Sequence, residues 1–297
     1  MRDPSETGLR STDMPQGVSA EERVRNELIS FVRGNPQNRF PDGDGSYFDE
    51  PLVGFAAAND RIFSEYKYII GAFHRTPEEA LREACGSEAR AATVVCWILP
   101  ITKKTRESNR REMRLPSRRW AETRNFGEPF NSALRRHMVD WLGGLGYPSV
   151  APQLSPGWKY WTDTPVGIAS TWSERHAAYA AGLGTFGLND ALITPKGISH
   201  RCGSVVTALR LTPTPRPYPD FHHNCLHYRD GSCGACISRC PAGALSREGH
   251  DKIVCGRYLH ETVAAAVGER YGVTEAGCGL CQTGVPCEGR IPKEAGA

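Results

Sequence analysis

Eight of the eleven cysteines lie between Cys225 and Cys287, and this crowding constrains the fold more than any other feature of the chain. Only Cys85, Cys96 and Cys202 come earlier. No apolar run approaches the ~20 residues that span a bilayer. The N-terminus has neither an apolar signal core nor paired arginines. These features place the expected location in the cytoplasm, where a reducing environment favours metal or redox chemistry over disulfides.

The first cysteine group reads Cys225, then Cys233-Gly-Ala-Cys236-Ile-Ser-Arg-Cys240-Pro241. The second reads Cys255, then Cys278-Gly-Leu-Cys281, then Cys287. The C-x2-C-x3-C-P ending is that of bacterial ferredoxins, in which the last cysteine binds the other cluster. On this crossed pattern Cys225, Cys233, Cys236 and Cys287 hold one [4Fe–4S] cluster, and Cys240, Cys255, Cys278 and Cys281 hold a second. Paired C-x2-C also builds zinc ribbons, but the C-x3-C-P spacing is that of iron–sulfur proteins. Two gaps depart from the standard run: seven residues separate Cys225 from Cys233, and five separate Cys281 from Cys287. Cys85, Cys96 and Cys202 read as packed small apolar residues.

Ahead of the cysteines, residues 1–20 read as a polar leader and 21–211 as an α/β body. Residues 212–220, TPTPRPYPD, read as a Pro-rich linker into a module spanning 221–297. Val24, Leu28, Ile29, Phe31 and Val32 repeat at helical spacing. Thr76-Pro77-Glu78-Glu79 is a capped helix start, and residues 91–101 have the length and apolarity of a buried strand. A helix is expected from Leu134 to Leu142 and another from about Thr171 to Gly182. Strands are expected at 191–194 and 203–211. The near balance of 36 basic and 33 acidic residues leaves a charge of +3, which neither demands nor excludes an anionic partner.

Residues 165–211 together with the cysteine module resemble the epoxyqueuosine reductase and reductive dehalogenase superfamily. The resemblance rests on Glu174-Arg175, then Gly182-Leu183-Gly184, Gly187-Leu188-Asn189 and Leu192-Ile193-Thr194-Pro195-Lys196-Gly197, with Arg201, Val206-Thr207 and Cys255-Gly-Arg-Tyr258-Leu259. It implies a nitroreductase-like cobalamin-binding domain joined to a two-cluster ferredoxin-like domain. A low-potential donor such as ferredoxin or flavodoxin would supply electrons to cobalamin, for reduction of a small-molecule or tRNA substrate. Gly182, Gly184, Asn189, Thr194, Arg201 and Ser204 are the cofactor-binding candidates it implies. At the position of the family's proton-donating aspartate stands Ile168, and at that of its lysine stands Leu188. Asp163 is the nearest alternative acid in that stretch.

Thr171-x-x-Glu174 reads as a capping box. It would set Trp172, Arg175, His176 and Tyr179 on one helix face, making Tyr179 and His176 candidate proton donors and Arg175 an anion or leaving-group clamp. An amphipathic helix packing its aromatics inward is the plain structural alternative. The aromatics of SPGWKYWTD, Trp158, Tyr160 and Trp161, could wall a planar ligand. Residues 103–119 hold eight basic residues and two glutamates, a patch suited to tRNA or a corrinoid phosphate, or simply a solvated face. Two further readings stay open: an electron-transfer protein with no chemistry of its own, and an RNA-binding protein with structural clusters.

Overall fold

The computed structural model describes residues 17–293. The leader expected over 1–20 therefore lies mostly outside the described residues. Helix α1 (Ala20–Gly34) begins on Ser19, whose hydroxyl and Glu22 form a capping box, and it buries Val24, Leu28 and Val32. Strand β1 (Leu52–Ala57), α2 (Ile62–Ile69), α3 (Pro77–Cys85) and β2 (Thr93–Pro100) follow. Thr76 caps α3 with Glu79 as expected, and every residue of β2 is buried. After β2 come α4 (Lys103–Arg110), α5 (Arg118–Gly144), β3 (Ser149–Val150), and the hairpin of β4 (Tyr160–Thr164) and β5 (Gly167–Ser170). Then come α6 (Glu174–Ala180), the short β6 (Thr185–Phe186) and β7 (Leu192–Ile193), and β8 (His200–Thr207).

Strands β1, β2, β8 and β3 form one sheet in that order, and every pairing is antiparallel. Alternating helices and strands suggest parallel crossovers; here the mixed content is present without them. Alternation along β2 splits the core. Val95, Trp97 and Leu99 face α1 and α5, while Val94, Cys96 and Ile98 face α2, α3 and α6. Gly203 lies opposite Trp97, where a side chain would strike the indole at 2.4 Å.

Three boundaries differ from the sequence expectations. Helix α5 starts at Arg118, capped by Ser117, and runs through Pro129. The proline is tolerated because buried residues pin the helix on both sides of it. Helix α6 starts at Glu174 rather than Thr171. The Thr171 hydroxyl accepts from the Lys159 amide, and Glu174 turns to Arg135 and Ser204, so no capping box forms and Trp172 lies outside the helix. Residues 212–220 form no regular element but are docked, with Thr214 exchanging two hydrogen bonds with Phe55 on β1.

Beyond residue 220 the chain is built of short helices: α7 (Leu226–Asp230), α8 (Ala235–Ser238), α9 (Lys252–Arg257) and α10 (Ala264–Tyr271), the last two joined by a π-helical turn. This segment packs on the body twice. Val263, Val267, Val273 and Ala276 pack with Ala121 of α5. Cys225 and Val285 join Leu188, Ala191, Ile193 and Ile198.

Candidate functional site

The fold collects the eight clustered cysteines into two pockets. Cys225, Cys233, Cys236 and Cys287 line the first, with Leu188, Ile193, Ile198 and Val285 around them. Burial, with Cys225 and Cys233 beside it, pushes the Cys236 thiol up to about 11. Cys287 rises by burial and by the same three neighbours. Cys240, Cys255, Cys278 and Cys281 line the second pocket, on one wall of a larger cavity. Burial again raises Cys278 to about 11, with Cys255 and Cys240 adding to the shift, and Cys281 answers to burial, Cys278 and Cys255. The thiols acting on Cys236, Cys278 and Cys287 all come from their own foursome, while Cys281 also feels Cys236 of the other set.

Left bare, buried thiols that repel one another's charge stay neutral. A cationic metal group would reverse that preference and hold all four as thiolates. Among the described residues no three His, Cys, Asp or Glu side chains stand close enough to grip a single metal ion. A cluster spreads its thiolates over four separate iron corners, so the grouping fits it. Cys85 is exposed and Cys96 is buried in the sheet core, and neither lines these pockets.

The larger cavity has a volume of about 420 Å³ and lies between α5, β8 and the cysteine segment. Its floor is a line of charge. Arg135, 1% exposed, donates to Glu128 at 2.7 Å, Glu174 at 3.1 Å and Gln153 at 3.0 Å. Arg201 pairs with the other oxygen of Glu128. Burial opposes ionisation of Glu128, but Arg201 and Arg135 hold it below the usual carboxylate range. Glu174 is pushed up, burial outweighing Arg135 and the Ser204 hydroxyl. Burial and Arg124 bring Arg201 down to about 9. The Nε1 of Trp120 and the Nε of Arg201 are buried donors with no partner among the described residues.

Of the residues singled out in the sequence, Glu174, Arg175, Asn189, Arg201, Tyr258, Leu259 and the second cysteine foursome reach this cavity, as does Cys202, which was read as a packed apolar residue and is half-buried at the cavity edge. Arg175 is exposed and donates to the Asp190 carbonyl. The Asn189 amide donates to the Cys281 carbonyl at 3.0 Å, and Asn189 lines both pockets. His176 and Tyr179 do not reach it. His176 is packed between Tyr66 and Phe186 and bonded to the Ser173 hydroxyl, and burial lowers it to about 3. Tyr179 packs on Phe186 under Arg216.

Four of the cofactor-binding candidates have internal roles. Gly182 is the left-handed cap of α6, where a side chain would meet the Pro215 carbonyl at 2.3 Å. Gly184 faces the Ile193 carbonyl at 2.4 Å from where its Cβ would be. Thr194 donates to the Gly197 carbonyl in a tight turn. Ser204 joins Trp172 to Glu174.

Ile168 and Asp163 sit on the β4–β5 hairpin and line no part of the cavity, and neither do Trp158, Tyr160 and Trp161. Much of the basic stretch 103–119 is spent internally: Lys104 and Arg119 on Asp44, Lys103 on Glu107, Arg110 on Glu288, and Arg118 on the Arg270 carbonyl.

Sequence reasoning missed Trp120, Arg124, Glu128 and Arg135. Their spacing, together with Asn131, is that of a single α-helical face, a signal hidden by starting the helix after Pro129. It also missed His200 and His250, which carry no motif.

No family model matches the chain. An epoxyqueuosine reductase of Bacillus anthracis is 33% identical over 119 residues, covering 38% of this chain and 29% of the relative. That of Bacillus cereus is 31% identical over the same span. Over that stretch the chain is similar to epoxyqueuosine reductases. It spans under a third of the length of the curated relatives it matches. The likeness of fold covers more of the chain. A solved epoxyqueuosine reductase superposes with TM-score 0.50 at 17% identity, over 91% of this chain and 69% of that one. A reductive dehalogenase, described as B12-dependent, gives TM-score 0.50 at 15% identity, over 82% of this chain and 30% of that one.

Proposed function

We propose that the chain is an iron–sulfur oxidoreductase that binds two [4Fe–4S] clusters in a ferredoxin-like C-terminal segment. In this reading a corrinoid occupies the central cavity, and a substrate is reduced there with electrons from a low-potential donor such as ferredoxin or flavodoxin. One observation carries the reading: eight cysteines from distant parts of the segment gather into two foursomes, one of them forming a wall of the cavity. When bound, the clusters supply one-electron transfer and the corrinoid a reducing cobalt centre.

The cavity fits a corrinoid in kind. Trp120 Nε1 and Arg201 Nε are unpartnered donors and Gln153 adds an amide, suited to a ring edged with amides. The chain's own residues bind and orient. Arg135 and Arg201, locked by Glu128 and Glu174, give a rigid charged floor that loses little entropy on binding. Arg175, anchored only to a backbone carbonyl, presents a cation to a developing anion or leaving group. The proton-delivery role expected of Tyr179 and His176 gains no support from their positions on α6, where they pack on Phe186 and line no part of the cavity.

A second reading, an electron carrier without chemistry of its own, is favoured by Ile168 at the acid position and by Asp163 lying off the cavity. Iron, sulfide and cobalt analysis of anaerobically purified protein separates the two. Eight irons with stoichiometric cobalt support the reductase, eight irons without cobalt support the carrier, and zinc alone overturns both. The RNA-binding reading loses ground because its basic stretch is largely paired within the chain.

A further inference from the structure

One edge of the molecule gathers arginines that the nearby acids do not balance. There the loop of residues 283–289, which carries Cys287, meets α4 and the turn after it. Arg110 grips Glu288 through two hydrogen bonds, at 3.1 and 2.7 Å, and the Gly284 amide donates to the same carboxylate at 2.7 Å. Arg239 ties the loop to that turn, donating to the Thr283 carbonyl at 2.9 Å and to the Glu112 carbonyl at 2.8 Å. Arg106 stands so close to Gly289 that a side chain at 289 would overlap its guanidinium. Beside them Arg111, Arg114 and Arg290 are exposed, with no ion pair among the described residues.

Of the acids in these two stretches, Glu288 is 5% exposed and spent on Arg110, and Glu107 lies 3.7 Å from Lys103. Glu112 is left as the exposed carboxylate without an ion pair there, among the described residues. Apolar groups stand among the cations. Met113 is 67% exposed, with its sulfur 3.4 Å from Arg239, and Pro286 is exposed next to Cys287. The loop itself is pinned, the Cys287 carbonyl accepting from the Ile198 amide at 2.9 Å. A surface held in this way loses little entropy when a partner covers it.

Arginines around an exposed methionine have the make-up of a protein–protein contact. Single-stranded nucleic acid would need aromatic platforms for its bases, and neither residues 103–119 nor residues 283–290 include an aromatic side chain. We propose that this face docks an acidic electron-carrier protein, which hands its electron in at Cys287. One electron leaves the carrier's reduced centre and enters the iron–sulfur group of the first foursome, with no bond or proton changing hands. The arginines steer the carrier in by long-range attraction, an effect that salt screens.

This inference rests on the two-cluster reading. The test mixes the iron-loaded full chain, kept from oxygen, with a reduced ferredoxin or with flavodoxin hydroquinone, each chosen for net negative charge. Oxidation of the carrier is followed by stopped flow. Rising salt should slow the transfer, and Arg111→Glu combined with Arg290→Glu should slow it by about tenfold or more. Arg111→Lys with Arg290→Lys should keep the parent rate, as should Arg136→Glu, exposed on the far half of α5. The double reversal should leave iron content unchanged, and likewise the rate of reduction by photoreduced deazaflavin, a small uncharged reductant. Iron-loaded parent that neither carrier reduces, or whose rate ignores both salt and the reversals, overturns the docking surface alone. Transfer RNA bound by the parent and released by the same reversals, with carrier rates unmoved, assigns the face to nucleic acid instead. Parent protein that takes up no iron overturns the functional reading and the docking surface together.

Discussion

Gly279 presses its α-carbon against the indole of Trp120, and a methyl group built there would stand 1.9 Å from the ring. Gly279 and Gly277 both adopt left-handed φ, at 65° and 61°, on either side of Cys278. The loop that presents Cys278 and Cys281 is therefore moulded onto α5 through its glycine backbone, beside Cys278 packed near Ala121. Gly279→Ala should cost about 1–3 kcal/mol in backbone strain and should move the indole or the loop as well. Roughly half the parent iron content is expected, because Cys278 and Cys281 stand on this loop, which the first foursome adjoins only where Cys236 meets Cys281. A variant with full iron and an unchanged Tm would show that the contact is not needed.

The grouping of the thiols predicts a sharp division among the eleven cysteines. Cys278→Ser and Cys236→Ser should each remove one cluster's worth of iron and the matching visible absorbance. Cys85→Ser should change neither, since its thiol is exposed and lines neither pocket. Cys96→Val should keep iron as well, at a packing cost below about 1.5 kcal/mol for a volume-conserving swap. Iron loss in Cys85→Ser would mean that the foursomes are drawn wrongly.

The cysteine groups were legible because metal-ligand spacing is local, and β2 because a wholly apolar run has few other uses. The cavity floor was harder to see. Arg135 and Glu174 are 39 residues apart and meet only because α5 crosses the sheet beside β8. Each alone reads as a surface charge. His176 and Tyr179 misled for the opposite reason: polar side chains at helical spacing mark a face, but not which side that face turns to. Thr171 misled because its hydroxyl found the Lys159 amide instead of a helix end.

Arg135 ties two carboxylates together under the cavity. Arg135→Met leaves Glu128 with Arg201 but leaves Glu174 with only the Ser204 hydroxyl. An uncompensated buried charge costs about 3–5 kcal/mol, which urea unfolding at neutral pH should show. Burial already raises Glu174, so the variant should recover part of the loss as the pH falls and that carboxyl takes up a proton. Arg135→Met with Glu174→Gln should recover most of it at neutral pH. A single variant as stable as the parent would mean that the floor is not load-sharing.

His74 gives the fold a defined sensitivity to acid. It is 1% exposed, stacked on Trp172, and its Nε2 accepts from the Ser173 amide at 3.2 Å, which only the neutral ring can do. Burial, with help from Lys67, lowers it from 6.5 to about 4. The unfolded chain therefore takes up its proton first. Stability is full above about pH 6.5 and falls as the pH drops towards 4, by about 1.4 kcal/mol per unit. His176 and His200, lowered to about 3 and about 4 by burial, act in the same direction. His74→Gln retains an acceptor for Ser173 and cannot charge. The gap in unfolding free energy between pH 7.5 and 4.5 should shrink in that variant by roughly 3 kcal/mol relative to the parent. An equal gap in the two proteins would place the acid sensitivity elsewhere.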